Sequence, residues 1–412
     1  MKKKLIYILL IIVLLIIGGL LVYKKFAKKD NPMKPEVALT GELTPNIIKL
    51  TNRYYQDNFL ISPYSIKVAL NMLKEGADGN TLAEIEQLLD KSTIGNVNNP
   101  NIKIANAVFI SNEVKDVVEK SFVNAIRKKY NGEVLYDDFK TPEVINNWVN
   151  EHTDKMIPKI LDSMDPNFIA GIANAVAIDV KWAYEFECHS TMSAPFTQRD
   201  NTIIDVEMMH NSYEREDVKY IDNDKITGIV LPYASDTNLE FIGFLPKSDV
   251  NSFINSLTID ELVNIDKEAI SAGEDLHINL SMPRLKYDFD LDQFKNILIE
   301  LGMKDAFNGI NANFLKIINM ENRIKKGRGN IYVDEAIHKT AIDLNENGTK
   351  AAAVTYFGLK DATAAAPKTF KTVNINLNKT FVYMIREKTT KEILFFGVAN
   401  TPNEWNGTTC SS

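Results

Sequence analysis

Hydrophobic side chains recur at helical spacing in four segments of the chain. These segments are 63–76, 82–89, 144–152 and 294–301. Ser62-Pro63 is typical of a helix start, with a capping side chain followed by a first-turn proline. Thr81 and Glu84 have the spacing of a capping box. The pattern therefore predicts helices in all four segments.

Short apolar runs and alternating runs predict strands, most of them in the second half of the chain. They lie at 172–182, 226–233, 239–246, 278–285, 331–344 and 392–400. Within 331–344, His338, Thr340, Ile342 and Leu344 alternate with polar neighbours, as does Ala336, so His338 is predicted on a buried face. Helices first and strands later, often at hairpin spacing, predict an α+β fold with largely antiparallel sheets.

The first apolar run is long enough to cross a bilayer. After Met1-Lys2-Lys3-Lys4 come about twenty uninterrupted apolar residues, LIYILLIIVLLIIGGLLVY. No small-x-small cleavage site follows them, so residues 1–23 are predicted to be an uncleaved transmembrane signal anchor, with a cleaved signal segment as the alternative. Lysines flank both ends of the run and leave its orientation open. We expect the large domain outside the cytoplasm, at the cell surface or extracellular.

The rest of the chain is predicted to form one large domain. Residues 24–41 are charged, contain two prolines and lack periodicity, which is typical of a flexible tether. Residues 42–405 contain no linker-like stretch and no internal repeat, and residues 406–412 form a polar tail.

Composition excludes several classes of function. The net charge of −7 and pI near 5.5 argue against general nucleic-acid binding. The second of the two cysteines, Cys188 and Cys410, lies in the polar tail, so no structural disulfide is expected. No metal or cofactor motif is present, and neither a GxSxG elbow nor a P-loop occurs. A hydrolase that uses one of the five histidines stays an alternative which no residue pattern selects.

Residues 346–358, ENGTKAAAVTYFG, combine a turn with a strand-like segment. Gly348 permits a chain reversal. If the residues after it are extended, the first side chains on both faces are small and do not oppose entry between two existing strands. A flexible alanine-rich surface loop is the alternative, and composition does not choose between them.

Several separated motifs resemble those of the serpin superfamily, in the expected order, over about residues 42–402. They are NFLISPYSIKVALNML (58–73), INNWVNEHTDKMIPKIL (145–161), IANAVAIDVKWAYEF (172–186), INLSMPRL (278–285), IYVDEAIHKTAIDLNENGTKAAA (331–353) and INLNKTFVYMIREKTTKEILFFGVANTP (375–402). The resemblance is to an inhibitory, membrane-anchored, prokaryote-like member. It implies a serpin fold with three largely antiparallel β-sheets, roughly eight or nine helices and an exposed reactive-centre loop.

The resemblance also implies roles for particular residues. The hinge of the reactive-centre loop matches Glu346, Asn347, Gly348, Thr349, Ala351, Ala352 and Ala353. The polar cluster beneath the point where the main sheet opens matches Asn58, Ser62, Ser65, Asn174 and His338. The site where insertion begins matches Trp182, Arg284 and Glu346. The reactive bond is expected at Ala362-Thr363, with Lys360 and Leu359 as alternative positions.

The implied function is suicide inhibition of serine endopeptidases, with cysteine endopeptidases as a further class. The cleaved loop inserts into the sheet and holds the protease as an acyl-enzyme, without catalytic turnover or cofactor. A bond between small residues favours elastase-like or subtilisin-like targets, whereas Lys360 would suit trypsin-like and Leu359 chymotrypsin-like enzymes. A monomer is expected, with membrane contact through the N-terminal helix. The alternative is a non-inhibitory serpin that acts as a binding or carrier module, and the small hinge residues argue against it.

Overall fold

The computed structural model describes residues 39–89, 102–319, 330–349 and 370–407. The predicted anchor, nearly all of the tether and the segment carrying the predicted reactive bond lie outside these ranges. Among the described residues, no helix has both the length and the apolar character needed to cross a bilayer.

Eight α-helices lie within the described ranges. They are α1 (Leu43–Tyr54), α2 (Pro63–Gly76), α3 (Gly79–Leu89), α4 (Lys120–Tyr130), α5 (Glu143–His152), α6 (Val250–Ser256), α7 (Ile259–Val263) and α8 (Phe294–Glu300). Helix α2 begins as predicted, because the Ser62 side chain accepts a hydrogen bond from the Ser65 N–H and Pro63 occupies the first turn.

The capping box predicted for α3 is wrong. The helix begins at Gly79, so Thr81 already lies inside its first turn. Thr81 Oγ1 accepts a hydrogen bond from the Asn313 N–H, and the Glu84 carboxylate accepts from the N–H groups of Lys304 and Asp305. Both side chains therefore hold a distant loop instead of capping their own helix.

Eighteen strands are described. They are β1 (Phe59–Ile61), β2 (Ile102–Ser111), β3 (Glu133–Asp137), β4 (Ala170–Ile178), β5 (Val180–Lys181), β6 (Met192–Thr197), β7 (Ile203–Tyr213), β8 (Lys219–Asp222), β9 (Ile226–Pro232), β10 (Leu239–Pro246), β11 (Ile270–Ser271), β12 (Leu276–Pro283), β13 (Leu285–Asp290), β14 (Lys339–Asn345), β15 (Gly348–Thr349), β16 (Lys371–Asn376), β17 (Phe381–Glu387) and β18 (Ile393–Ala399). The strand predicted at 331–344 thus begins only at Lys339.

The largest sheet has the order β1-β18-β17-β10-β9-β8-β11, and every residue of β17 and β18 is buried. A second sheet has the order β16-β12-β7-β6. The pairs β12–β16 and β2–β3 are parallel and the other ladders are antiparallel. The predicted α+β class is therefore confirmed.

The remaining strands form two half-sheets, β3-β2-β4 and β13-β14-β15-β5. Strands β4 and β5 are separated only by Asp179, so the chain passes directly from one half-sheet into the other. Within the described residues no ladder joins β4 to β14. We call this interruption between β4 and β14 the seam.

Helix α5 packs across the outside of β2 and β4. Its apolar face, with Ile145, Trp148 and Val149, belongs to a buried cluster with Phe109 and Phe139. The rings of Trp148 and Phe109 meet edge to face with centroids 5.7 Å apart. The aromatic packing holds α5 on the half-sheet that borders the seam.

Candidate functional site at the top of the seam

The predicted hinge enters the sheet as a short strand. After β14 the chain turns through Glu346 and Asn347, and β15 then pairs on one side with β14 and on the other with β5. Thr349 lies opposite Leu344 and Val180 in these two ladders. Thr349 is only 3% exposed. Two of the predicted hinge residues therefore occupy the position of a strand between β14 and β5.

Position 348 accepts only glycine in this arrangement. Gly348 has φ +152°, and a Cβ atom built there would lie 2.1 Å from the Val180 carbonyl oxygen and 2.7 Å from the Lys181 Cα. Both obstacles are backbone atoms, which cannot move aside as a flexible side chain would. The close approach of β15 to β5 therefore depends on the missing side chain.

A buried ion cluster fixes the turn that precedes β15. Arg284 Nη2 lies 2.6 Å from Glu346 Oε1, and Arg284 Nε lies 3.0 Å from both oxygens of that carboxylate. Arg284 Nη1 lies 3.3 Å from Glu207 Oε2. The Thr191 hydroxyl also donates to Glu346. One guanidinium thus bridges two carboxylates whose side chains are 8% and 3% exposed.

Trp182 holds the backbone on both sides of Glu346. Its indole Nε1–H donates to the Asn345 carbonyl at 2.9 Å, and its backbone N–H donates to the Asn347 carbonyl at 2.9 Å. The indole stacks on the Tyr233 ring with centroids 4.5 Å apart. The structure therefore brings the predicted Trp182, Arg284 and Glu346 together at one place.

Tyr233 makes the side-chain contact to the hinge threonine. Its hydroxyl lies 2.7 Å from Thr349 Oγ1. Burial raises the pKa of Tyr233 well above its usual value, so the phenol stays neutral, and one of the two hydroxyl groups donates a hydrogen bond to the other. The two hydroxyl groups satisfy each other inside the sheet.

A pocket continues the seam below Thr349. It is lined by Val176 and Ile178 of β4, Ile342 of β14, and Thr153 and Ile157 of the segment that follows α5. Most of these side chains are apolar. A strand that extended β15 downward would enter this pocket first.

Three of the five residues predicted for the polar cluster meet beneath the seam. The Ser62 N–H donates to His338 Nε2 at 3.0 Å, and Ser62 Oγ accepts from the Ser65 N–H at 3.1 Å. The Thr340 hydroxyl donates to the Leu60 carbonyl beside them. These contacts tie the β1–α2 segment to β14.

The other two residues of the predicted cluster have partners elsewhere. Asn58 accepts hydrogen bonds from the N–H groups of Asn400 and Thr401 and donates to the Thr401 carbonyl. Asn174 donates to Asn106 Oδ1 at 2.6 Å, across the β2–β4 ladder. Asn58 therefore anchors the end of β18, and Asn174 cross-links β4 to β2.

The remaining site predictions lie outside the described residues. They concern Ala351, Ala352 and Ala353 of the hinge, and Leu359, Lys360, Ala362 and Thr363 around the reactive bond.

Sequence reasoning missed Tyr233, Glu207 and Thr191. Glu207 could have been predicted from the sequence to have a cationic partner. It lies inside the apolar run VEMM, and an acidic side chain is rarely buried without a cation. Tyr233 ends an ordinary apolar strand and Thr191 lies in a polar connection, so neither position carries a local signal.

The expectation of no structural disulfide is wrong. Cys188, half-buried in the short 3₁₀ turn Cys188–Ser190, is disulfide-bonded. The sequence contains one other cysteine, Cys410, which lies outside the described residues.

The His338 contact is expected to make stability depend on pH. Burial lowers the pKa of His338 to about 4. The unfolded chain binds the proton near pH 6.5, so the free energy of unfolding should fall by about 3 kcal/mol as pH drops from about 6.5 to 4. Urea unfolding at several pH values measures this slope. The His338→Gln variant should lose this contribution to the pH dependence of the free energy of unfolding, whereas the variant His189→Gln, at an exposed position, should keep it. Equal slopes in the two variants would contradict the assignment to His338.

Comparisons with known proteins match most of the chain. The family model described as Serpin (serine protease inhibitor) matches residues 40–402. A leukocyte elastase inhibitor of Xenopus tropicalis is 26% identical over 379 residues, which cover 86% of this chain and 96% of the relative. The crystal structure of the thermophilic serpin tengpin in its native state is 30% identical with a TM-score of 0.74, covering 89% of this chain and 96% of that one. Thyroxine-binding globulin in complex with thyroxine shares the fold at 23% identity and a TM-score of 0.72, covering 88% and 98%.

Proposed function

Because the chain belongs to the serpin family, we propose that it inhibits serine endopeptidases by trapping them as covalent acyl-enzymes. Cysteine endopeptidases are a further target class, since they also form acyl-enzymes. The chain is consumed in the reaction and performs no turnover. Family members are protease inhibitors by description, as is the elastase inhibitor that it resembles.

In the proposed mechanism, a loop that is first exposed to the protease as a substrate becomes a strand of the sheet. The target nucleophile attacks a peptide bond in the segment 350–369, expels the amine on the C-terminal side and remains esterified to the new C-terminus. The residues that follow Thr349 then insert downward along the seam. Each inserted residue carries the esterified protease about 3.3 Å along the sheet. The accumulated displacement distorts the protease before water attacks the ester.

The position of β15 is the observation that supports this proposal most strongly. Gly348 and Thr349 already pair with β14 and β5 at the top of the seam. The next strand positions lead into the apolar pocket lined by Val176 and Ile342. Further insertion therefore extends two existing ladders, and the cost of starting a new strand has already been met.

The target class is proposed from the sequence of the loop. A reactive bond at Ala362-Thr363 favours elastase-like or subtilisin-like enzymes, and the similarity to a leukocyte elastase inhibitor supports the first of these. Lys360 and Leu359 are the alternative positions, for trypsin-like and chymotrypsin-like targets.

We place the inhibitory domain outside the cytoplasm, held by residues 1–23. The long apolar run supports a membrane anchor, and the disulfide at Cys188 supports an oxidising compartment. Alkaline carbonate extraction of cell membranes tests this placement: the chain should stay in the membrane fraction, and its release into the supernatant would contradict an anchor.

Incubation of the full chain with elastase, subtilisin, trypsin or chymotrypsin tests the mechanism. We expect a covalent complex that survives boiling in detergent, seen as a band at the summed mass on denaturing electrophoresis. Mass spectrometry of the released C-terminal peptide should place the cut between Leu359 and Ala366. Cleavage of the loop by all four proteases without any such complex would overturn the proposal.

The second candidate is a binding or carrier serpin that traps no protease. The likeness to thyroxine-binding globulin shows only that the same fold occurs in a protein solved with a bound small molecule. Gly348 and the docked Thr349 favour the inhibitory function, because neither of these two described hinge residues is bulky or charged. Cleavage without a covalent complex is the result that this candidate predicts.

A further inference from the structure

The last residue of α5, His152, has an oxygen close to each of its two ring nitrogens. His152 Nδ1 lies 2.7 Å from the Trp148 carbonyl oxygen, and His152 Nε2 lies 3.2 Å from Glu133 Oε1. The imidazole also stacks on the Trp148 ring, with centroids 4.3 Å apart. Glu133 is the first residue of β3, the outer strand of the half-sheet β3-β2-β4. His152 therefore connects the end of α5 to this half-sheet.

The connection is strongest when both nitrogens of His152 carry a proton. A neutral imidazole has one N–H group, so it donates to one of the two oxygens and presents a lone pair to the other. The imidazolium donates to both. Its charge is also favourable beside the Glu133 carboxylate, over the Trp148 indole and at the C-terminal end of a helix. Since imidazole ordinarily changes its charge between about pH 5 and 8, the strength of this connection depends on pH.

Several charged residues lie around His152. Strand β3 contributes Glu133 at its start and Asp137 at its far end. Strand β4 contains no charged residue, and β2 contains Lys103 alone, four positions before Ala107, which lies opposite Glu133. Four strand positions correspond to about 13 Å. The charged residues next to His152 in the sequence are Glu151, Asp154 and Lys155. The carboxylates of this set favour the imidazolium and the lysines oppose it, and the ring contacts Glu133.

The restraint at His152 extends to the segment that lines the pocket below the hinge. Thr153 follows His152 directly, and its hydroxyl accepts from the Ile157 N–H at 3.1 Å. Asn146 of α5 donates to the Leu161 carbonyl at 2.9 Å and accepts from the Leu161 N–H at 3.0 Å. Helix α5 and residues 153–161 thus form one hydrogen-bonded unit. A strand that enters the pocket displaces Thr153 and Ile157, so it has to move this unit against the contact between His152 and β3.

We propose that His152 is a pH-sensitive restraint on insertion of the cleaved loop, an inference that rests on the proposed function. The imidazolium holds α5 on β3, and loss of its proton weakens the hold. Insertion is therefore slower in mildly acidic medium and faster above neutral pH. Because insertion competes with hydrolysis of the ester, the fraction of protease that is trapped rises as the imidazole loses its proton. His152 acts through α5 and is a positioning residue.

Trapping at two pH values tests the restraint. The purified full chain in detergent micelles is incubated at about pH 5.5 and about pH 8 with a protease that forms the covalent complex, and denaturing electrophoresis gives the ratio of complexed to cleaved chain. The protease has its own pH dependence, so each ratio is compared with that of His152→Gln, which stays uncharged, at the same pH. The wild-type ratio should be about fivefold lower than that of the variant at the acidic pH, which corresponds to about 1 kcal/mol in the barrier to insertion. The two ratios should agree at the alkaline pH. Agreement at both pH values would overturn the proposal.

Two further variants locate the effect. His277 is a matched control, because its Nε2 lies 3.4 Å from Glu214 Oε1 but it belongs to β12 of the second sheet. His277→Gln should keep the wild-type response to pH, and loss of the response in this variant would contradict a specific role of His152. Glu133→Gln removes the carboxylate at β3 and should lose most of the response. A full response in Glu133→Gln would overturn the restraint between α5 and β3, and this variant decides if His152→Gln does not fold.

Hydrogen exchange in the uncleaved chain tests the restraint without a protease. Peptides that cover residues 143–157 are compared at the two pH values, after correction for the intrinsic rate of exchange. Protection of these amides in the wild-type chain should be about fivefold higher at the acidic pH, whereas His152→Gln should show no difference. This result in a chain that traps no protease would support the restraint and overturn only the inhibitory function. Trapping with the same response to pH in the wild-type chain and His152→Gln would overturn only the restraint.

Discussion

Thr349→Arg is expected to leave the loop cleavable but to abolish trapping of the protease. Thr349 is 3% exposed, and its hydroxyl is paired with the Tyr233 phenol at the first position of insertion. A guanidinium there would have to be buried between β14 and β5 without a carboxylate in contact, which costs several kcal/mol. Denaturing electrophoresis after incubation with a cognate protease should show cleaved chain and free protease in place of the covalent complex.

The same substitution at an exposed position provides the control. Thr202 lies exposed in the turn between β6 and β7, where it accepts a backbone hydrogen bond from Gln198. Thr202→Arg should therefore trap protease as the wild-type chain does. Thr349→Ser keeps the hydroxyl and should retain most trapping. If Thr349→Arg trapped as well as Thr202→Arg, the hinge would have to lie elsewhere in the chain.

Removal of the Arg284 guanidinium is expected to have the largest effect on stability. Arg284→Leu would leave the Glu346 and Glu207 carboxylates facing each other, with side chains 8% and 3% exposed and their bridging cation gone. Loss of one partner from such a buried cluster costs about 3–5 kcal/mol. Urea unfolding at pH 7.5 should show this loss as a lower midpoint.

The adjacent strand offers a matched control. Lys286 pairs with Asp343 across the β13–β14 ladder, and its side chain is 68% exposed. Lys286→Leu should cost less than about 1 kcal/mol, because solvent screens an exposed pair. Addition of Glu346→Gln to Arg284→Leu should restore part of the lost stability by removing one uncompensated charge. Equal losses in the two leucine variants would show that the Arg284 cluster has no special role.

Local patterns predicted the elements whose causes are local. Ser62 and Pro63 mark the start of α2 through contacts within one helical turn. The alternation of His338, Thr340, Ile342 and Leu344 predicted the buried face, which the structure confirms. The prediction of a capping box was wrong because Thr81 and Glu84 have partners more than two hundred residues away in the sequence. The spacing between Thr81 and Glu84 contains no information about such distant partners.

The site depends on contacts that no local pattern encodes. Tyr233 and Thr349 are separated by 116 positions in the sequence, and Trp182 and Asn345 by 163. The resemblance predicted that Trp182, Arg284 and Glu346 lie at one site, because its motifs belong to a known fold in which these positions are close in space. They also grouped Asn58 and Asn174 with His338, whereas each of these asparagines binds its own neighbouring strand or strand end. The disulfide at Cys188 was missed because no second cysteine lies near Cys188 in the sequence.

Helix α5 is expected to influence how fast the proposed inhibitor inserts its cleaved loop. The segment that follows it contributes Thr153 and Ile157 to the pocket below Thr349, so a strand that enters the pocket has to push this segment aside. Meanwhile the ester to the protease is exposed to hydrolysis. Whether an encounter ends with a trapped or a released protease therefore depends on the rate of insertion relative to the rate of ester hydrolysis. Because the edge-to-face contact of Trp148 with Phe109 holds α5 on the half-sheet, we expect this contact to slow insertion. Substitutions in α5, which lies outside the segment that the protease is proposed to cleave, are therefore expected to change the fraction of protease that is trapped.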